Sequence, residues 1–180
     1  MGESKGSATA LLLLHAAVYA GLAWVYAPLP LVGVVLALLL IAISVVDIQR
    51  FEIPDLASAL LIATGGVAVW HLAAPWEEHA IAALAFPALL YVVGVAYLRL
   101  RGQPGLGFGD VKLAAGLGLL LGPQGSVWAL LAASLSGIVA LLVIARLRGT
   151  DAEGLMASGV AFGPFLCLSA WAVWLQGNAL

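Results

Sequence analysis

The stretch LPLVGVVLALLLIAISVVDIQR, residues 29–50, decides the architecture. From Leu29 to Val46 it carries no charge. At a helical rise of about 1.5 Å per residue, such a run crosses most of the roughly 30 Å hydrocarbon core of a bilayer. It then ends on Asp47, Gln49 and Arg50. A carboxylate in or at the mouth of a membrane helix is costly enough to be a functional hypothesis by default.

The same pattern extends through the chain. Of its 180 residues 64% are hydrophobic and only 9% charged, which predicts a polytopic membrane protein. Spans of roughly 20 residues leave room for about six or seven helices and almost no soluble domain. The expected fold is therefore an all-α membrane bundle, one membrane-embedded domain over 1–180, with any active site built from helix ends and short loops. The apolar segments run from Thr9 to Ala27, Leu29 to Val46, Leu56 to Ala73, Ala80 to Leu98, Val111 to Leu121, Ser126 to Ala145 and Met156 to Leu175. The fifth is short and Gly-rich, so it either begins before Val111 or inserts only partly. The first lacks a strong basic leader and a convincing cleavage site, and reads as a retained helix.

Charge supplies the orientation. With the N-terminus inside and one crossing per segment, Lys5, Arg50, Arg99, Arg101, Lys112, Arg146 and Arg148 all fall on the cytoplasmic side. The opposite loops and Leu180 carry no basic residue. A net charge of −2 and the lack of a basic run exclude nucleic acid as a partner. Cys167 is the single cysteine, which excludes an intrachain disulfide or a Cys-rich zinc module. Small residues at Ala114/Gly118/Gly122 and Ala133/Gly137 have helix-packing spacing. The tryptophans, among them Trp70, Trp76, Trp128, Trp171 and Trp174, suit an interfacial belt.

On this topology Asp47 closes the second span and Asp110, in Gly107-Phe108-Gly109-Asp110-Val111-Lys112, opens the fifth at the same face. Two carboxylates can hydrolyse a peptide bond if one is ionised and activates water while the other is protonated and polarises the amide; nearby like charges favour that split. Gly107 and Gly109 would permit unusual backbone conformations and close approach of an extended substrate. A structural reading competes: Asp110 complements a helix dipole and Asp47 pairs with Arg50.

The segment from Asp47 through Phe51, Pro54 and Asp55, together with Gly107 to Leu113, resembles the two signature regions of the type IV prepilin peptidases, membrane aspartyl proteases of the GxGD type. Val160 to Leu166, with Gly163-Pro164-Phe165, resembles the Gly-Pro-Phe segment of that family's last helix, although Ala161 stands where members often have proline. The resemblance implies that Asp47 and Asp110 are the catalytic pair. Gly107, Gly109, Lys112, Pro54 and Asp55 would bind substrate or shape the site, Asp55 as a helix-start cap and Lys112 as a snorkelling lysine or a partner of Asp110 or a substrate carbonyl. It implies partners of one kind, pilin-like precursors whose basic leader precedes a membrane helix, cleaved at the cytoplasmic face of the cell membrane without cofactor or metal. Glu52, Asp55, Asp151 and Glu153 near the same face would attract that leader, or are solvated loop charges. Lacking the paired cysteines of larger members, the chain resembles the compact, peptidase-only type.

Other chemistries fit less well. Glu77-Glu78-His79 lacks the second histidine of a zinc-protease helix. Ser134-Leu135-Ser136-Gly137 lacks the first glycine of a rhomboid-type serine motif, and none of His15, His71 and His79 is a convincing base. The rival of a different class is a scaffold or a proton- or cation-coupled transporter using the same aspartates. A nearer one is intramembrane proteolysis of the presenilin or signal-peptide-peptidase kind.

Overall fold

A computed structural model describes residues 3–25, 29–148 and 161–177, the side chains of 3–8 and 148 excepted. Ala27, Asp151, Glu153, the Met156 start of the last span and Leu180 lie outside the described residues. The elements are α1 (Glu3–Trp24), α2 (Leu31–Arg50), α3 (Asp55–His71), α4 (Trp76–Arg101), α5 (Phe108–Arg148) and α6 (Gly163–Gly177), with no strand among the described residues. Three of them, α2, α4 and α5, are long and apolar enough to cross a membrane; α3 and the Thr9–Trp24 part of α1 are shorter apolar helices.

The 41 residues of α5 are two passes, because Gly122 leaves helical geometry at φ 67°, ψ −175°. Leu106 lies against Gly94 and Gly118 against the Ala82 backbone, so arm 108–121 runs antiparallel to α4. Beyond the bend, Gly125 lies near Val173 and Gly137 near Phe165, so arm 123–148 runs antiparallel to the last helix and back towards the end from which arm 108–121 started, sharing a groove with α4 at Ile81, Ala82 and Leu89. The bend frees carbonyl groups that need donors. His79 Nδ1 donates to the Leu119 carbonyl at 2.7 Å, and Ser126 Oγ to the Gly122 carbonyl at 2.6 Å. Gly122 therefore makes a turn, correcting its reading as a helix-packing position; Gly118 does pack closely, and Gly137 lies against Phe165.

The first arm is short for a reason visible in the preceding loop. Gly102, at φ 70°, ends α4; Gly105 then lies against the Tyr97 ring and Leu106 beside Gly94. The loop thus descends along α4 by about 10 Å, seven residues at 1.5 Å each, before α5 begins. Asp110 is recessed below the end of α4 as a result.

The core is built where α2 and α6 cross α1. Tyr19 stacks on Trp171 at 5.8 Å and Trp171 on Trp174 at 5.4 Å between ring centroids. Trp171 and Trp174 are buried, which corrects their place in an interfacial belt; Trp24, Trp70, Trp76 and Trp128 are the exposed ones. Around this core the outer surface carries exposed Leu31, Leu84, Val92 and Leu135, as expected of a surface that faces lipid. From the directions of α2, α4 and the two arms, Arg50, Arg99, Arg101, Lys112 and Arg146 share the end of the bundle that bears Asp47 and Asp110.

Candidate active site

Asp47 lies in the last turn of α2, 6% exposed. The Gly163 backbone N–H donates to its Oδ2 at 3.1 Å. Gly163 opens α6, where the first N–H groups have no partner within the helix. A β-carbon at 163 would stand 2.6 Å from that same Oδ2, so only glycine lets the backbone come this close. The sequence reading quoted Gly163 without giving it a role. A backbone donor leaves no side-chain signature; the one signal was glycine at a helix start.

Asp110 sits in the first turn of α5, 7% exposed. Its backbone N–H donates to the Gly107 carbonyl at 3.1 Å, which fixes the turn. Its Oδ1 is buried with no hydrogen-bond partner among the described residues. The expected special backbone conformations are not used: among the described residues only Gly102 and Gly122 are glycines at positive φ. Gly109 matters sterically instead, since a β-carbon there would lie 3.2 Å from Cβ and Cγ1 of Ile53. At Gly107 a β-carbon would meet Asp110 Oδ2 at 3.4 Å, an ordinary contact.

Asp47 and Asp110 lie near enough for the charge of one to bear on the other. Ile53, 4% exposed, touches both halves: its Cβ and Cγ1 lie against Gly109, and its Cδ1 approaches Gly163. Above is a cleft of ≈ 600 Å³, lined by residues 50–55 and 107–109 with Val46 and Lys112. Neither aspartate lines it. Another cleft of ≈ 660 Å³ lies at the opposite end, around His79, Gln124 and Gln176, and no carboxylate lines it.

The site-shaping residues divide. Lys112 forms an ion pair with Asp55 and lies 5.8 Å from the Phe108 ring centroid. Asp55 begins α3 without capping it; Pro54 is the N-cap residue, and no side-chain cap bond forms there. With Asp55 86% exposed, the pair is worth under about 1 kcal/mol. Because Lys112–Asp55 is the ion pair found among the described residues, Arg50 does not neutralise Asp47, and the structural reading of Asp47 fails at that point. No group of three His, Cys, Asp or Glu side chains comes together among the described residues.

Residues 34–142, more than half of the chain and including both aspartates, match the type IV leader peptidase family. Among curated proteins, the chain is similar to the prepilin leader peptidase/N-methyltransferase of Xanthomonas campestris, with 31% identity covering 82% of this chain and 50% of the relative. Proteins of the same name from Dickeya chrysanthemi (34%, covering 83% and 52%) and Neisseria gonorrhoeae (28%, covering 93% and 57%) are similar as well. The chain thus spans about half the length of the relatives it matches. No solved structure matches it. The two recessed aspartates lie within a match that takes in both the end of α2 and the start of α5, and on that match the chain, an all-helical integral membrane protein, belongs to the type IV leader peptidase family.

Proposed function

We propose that residues 1–180 act as one membrane-embedded aspartyl endopeptidase domain that cleaves leader peptides from pilin-like precursors. The observation that carries this is the juxtaposition of Asp47 and Asp110 next to a cleft of ≈ 600 Å³, in a member of a leader peptidase family. An ionised carboxylate takes a proton from water, whose oxygen adds to the scissile carbonyl carbon. The protonated carboxyl gives its proton to the substrate, the C–N bond breaks and the leaving amine is released. Gly163 N–H holds the Asp47 carboxylate in place during this exchange. Hydrolysis by two carboxylates and water needs no cofactor, so peptide cleavage, and not N-methylation, is the activity assigned to these residues.

The precursor's apolar helix would stay in the bilayer while its basic leader reaches the cleft, where Glu52 and Asp55 supply acidic charge. We place that end on the cytoplasmic side of the cell membrane, with the N-terminus, because the basic residues gather there. Membership of a leader peptidase family supports this reading over a transporter or scaffold.

The test is incubation of the purified full chain with a candidate prepilin and labelled S-adenosylmethionine, followed by mass spectrometry of the product. Cleavage at the leader junction with an unmethylated new N-terminus is expected. An intact precursor would refute the peptidase reading, and a methylated product would refute the restriction to cleavage.

A further inference from the structure

The two carboxylates are shielded in the resting protein. Asp47 and Asp110 are 6% and 7% exposed although an open cleft lies next to them. Ile53 lines that cleft and lies against Gly109, the neighbour of Asp110, and near Gly163, the donor to Asp47. Glycine at both places gives Ile53 a surface it can approach and also leave, since no side chain interlocks with it.

The link that carries Ile53 is lightly tethered. Residues 51–54 lie between α2 and α3 outside regular structure. Phe51, Glu52 and Pro54 are exposed, so Ile53 is the only buried side chain of the link, whose backbone is held at its two ends by Phe51 N–H on the Asp47 carbonyl and by Ser58 N–H on the Pro54 carbonyl. Phe51 also occupies the left-handed region at φ 53°, which favours glycine and strains other residues. A short link with one buried contact and a strained hinge belongs to the low-stability part of a fold, where local opening is expected.

We propose that Ile53 is the access-determining residue of the aspartate pair: its side chain shuts the passage from the cleft to both carboxylates, and substrate reaches them when the 51–54 link lifts it out. The proposal rests on the aspartate pair being the cleaving pair, but its geometry makes a prediction that needs no substrate. Cβ and Cγ1 guard the Asp110 side and Cδ1 the Asp47 side. Ile53→Ala removes Cγ1 and Cδ1 and keeps Cβ, so each side loses a guarding atom. Ile53→Val removes Cδ1 alone.

The experiment is carbodiimide coupling of a small amine to the carboxylates of the detergent-solubilised full chain, with rates at each residue read by peptide mass spectrometry. Glu77 and Glu78, exposed at the other end, serve as references, and Cys167, fully buried, reports on the core through a thiol reagent. Ile53→Ala is expected to label Asp47 and Asp110 on the order of tenfold faster than the parent, with Glu77, Glu78 and Cys167 unchanged. Ile53→Val is expected to accelerate Asp47 more than Asp110. Parental rates at both aspartates in both variants would overturn the proposal. So would acceleration in the Val variant that comes with a reactive Cys167, since a loosened core and not an opened passage would then explain it. If the Ala variant does not fold, the Val variant decides alone. Selective labelling without cleavage of any precursor would leave the access role standing and count against the peptidase reading.

Discussion

Two links in this bundle begin alike and end differently. After α2 the chain turns through Phe51 in the left-handed region and enters α3 at Pro54; after α3 it turns through Ala73, at φ 49°, and enters α4 at Pro75. Each spends backbone strain to reverse a helix within a few residues. The link after α3 buries nothing in full, since Leu72 and Ala73 are exposed and Ala74 is half-buried. The link after α2 inserts Ile53 between the supports of two carboxylates. What separates a connection from an active-site wall is thus one buried side chain and the glycines that receive it.

The largest break in this comparison comes from the carboxylates at the two ends. Asp47→Asn or Asp110→Asn removes one member of the proposed acid/base pair while keeping size and shape, and precursor cleavage should fall by roughly 10²–10⁴-fold or more. Glu77→Gln and Glu78→Gln, in the first turn of α4 at the other end, should leave the initial rate unchanged. Equal losses at both ends would mean that charge, and not the paired geometry, supports activity.

Next in size is the contrast between the two ends of α6. A β-carbon at Gly163 would drive into the Asp47 carboxylate, whereas one at Gly177 meets nothing within 4 Å. Gly163→Ala should displace Asp47 and lower kcat on the order of 10²-fold with little change in KM, as misplacement of a reacting group does. Gly177→Ala should be silent. Steady-state cleavage kinetics check both, and a change confined to KM at position 163 would contradict the positioning role.

Much of this contrast was legible in the sequence, and the limits have physical causes. Apolar run length exposed the helices on either side of the short fifth segment, and Gly122-Pro123 marked the break inside the 41-residue helix. Charge asymmetry grouped the basic residues at the end that holds both aspartates. Nothing in the sequence gave the depth of the fifth pass, because it depends on the 102–107 loop folding back over Gly94. Ile53 read as one more apolar residue, since periodicity cannot tell a core side chain from one that covers a site. The Lys112–Asp55 pair joins residues 57 apart in the chain, a separation no local pattern reports.

That ion pair supplies a smaller test. Both partners border the cleft, so Lys112→Met and Asp55→Asn each remove the one bond tying the start of α3 to the start of α5 by charge. An exposed pair contributes under about 1 kcal/mol, so cleavage should change less than about fivefold, and the double variant should behave like either single one. The difference from the parent should shrink as salt is raised. A loss as deep as that of the aspartate variants would show that Lys112 belongs to the chemistry.

The smallest effect returns to the two strained turns. Replacing a non-glycine residue at positive φ with glycine relieves a cost of roughly 1–2 kcal/mol, but glycine also gains freedom in the unfolded chain, which returns roughly 0.5–1 kcal/mol. Ala73→Gly should therefore raise stability in detergent by up to about 1 kcal/mol and leave cleavage untouched. Phe51→Gly relieves the same strain, and its ring is 60% exposed, so little burial is lost. Its consequence should differ in kind, because the strain at Phe51 bears on the link that seats Ile53. Relieving it stabilises the closed arrangement, so the Phe51 variant should gain similar stability in a thermal-unfolding measurement while its cleavage rate falls slightly. Were both glycine variants to cleave at the parental rate, strain would be an incidental feature shared by the two turns, and the difference between them would rest on Ile53 alone.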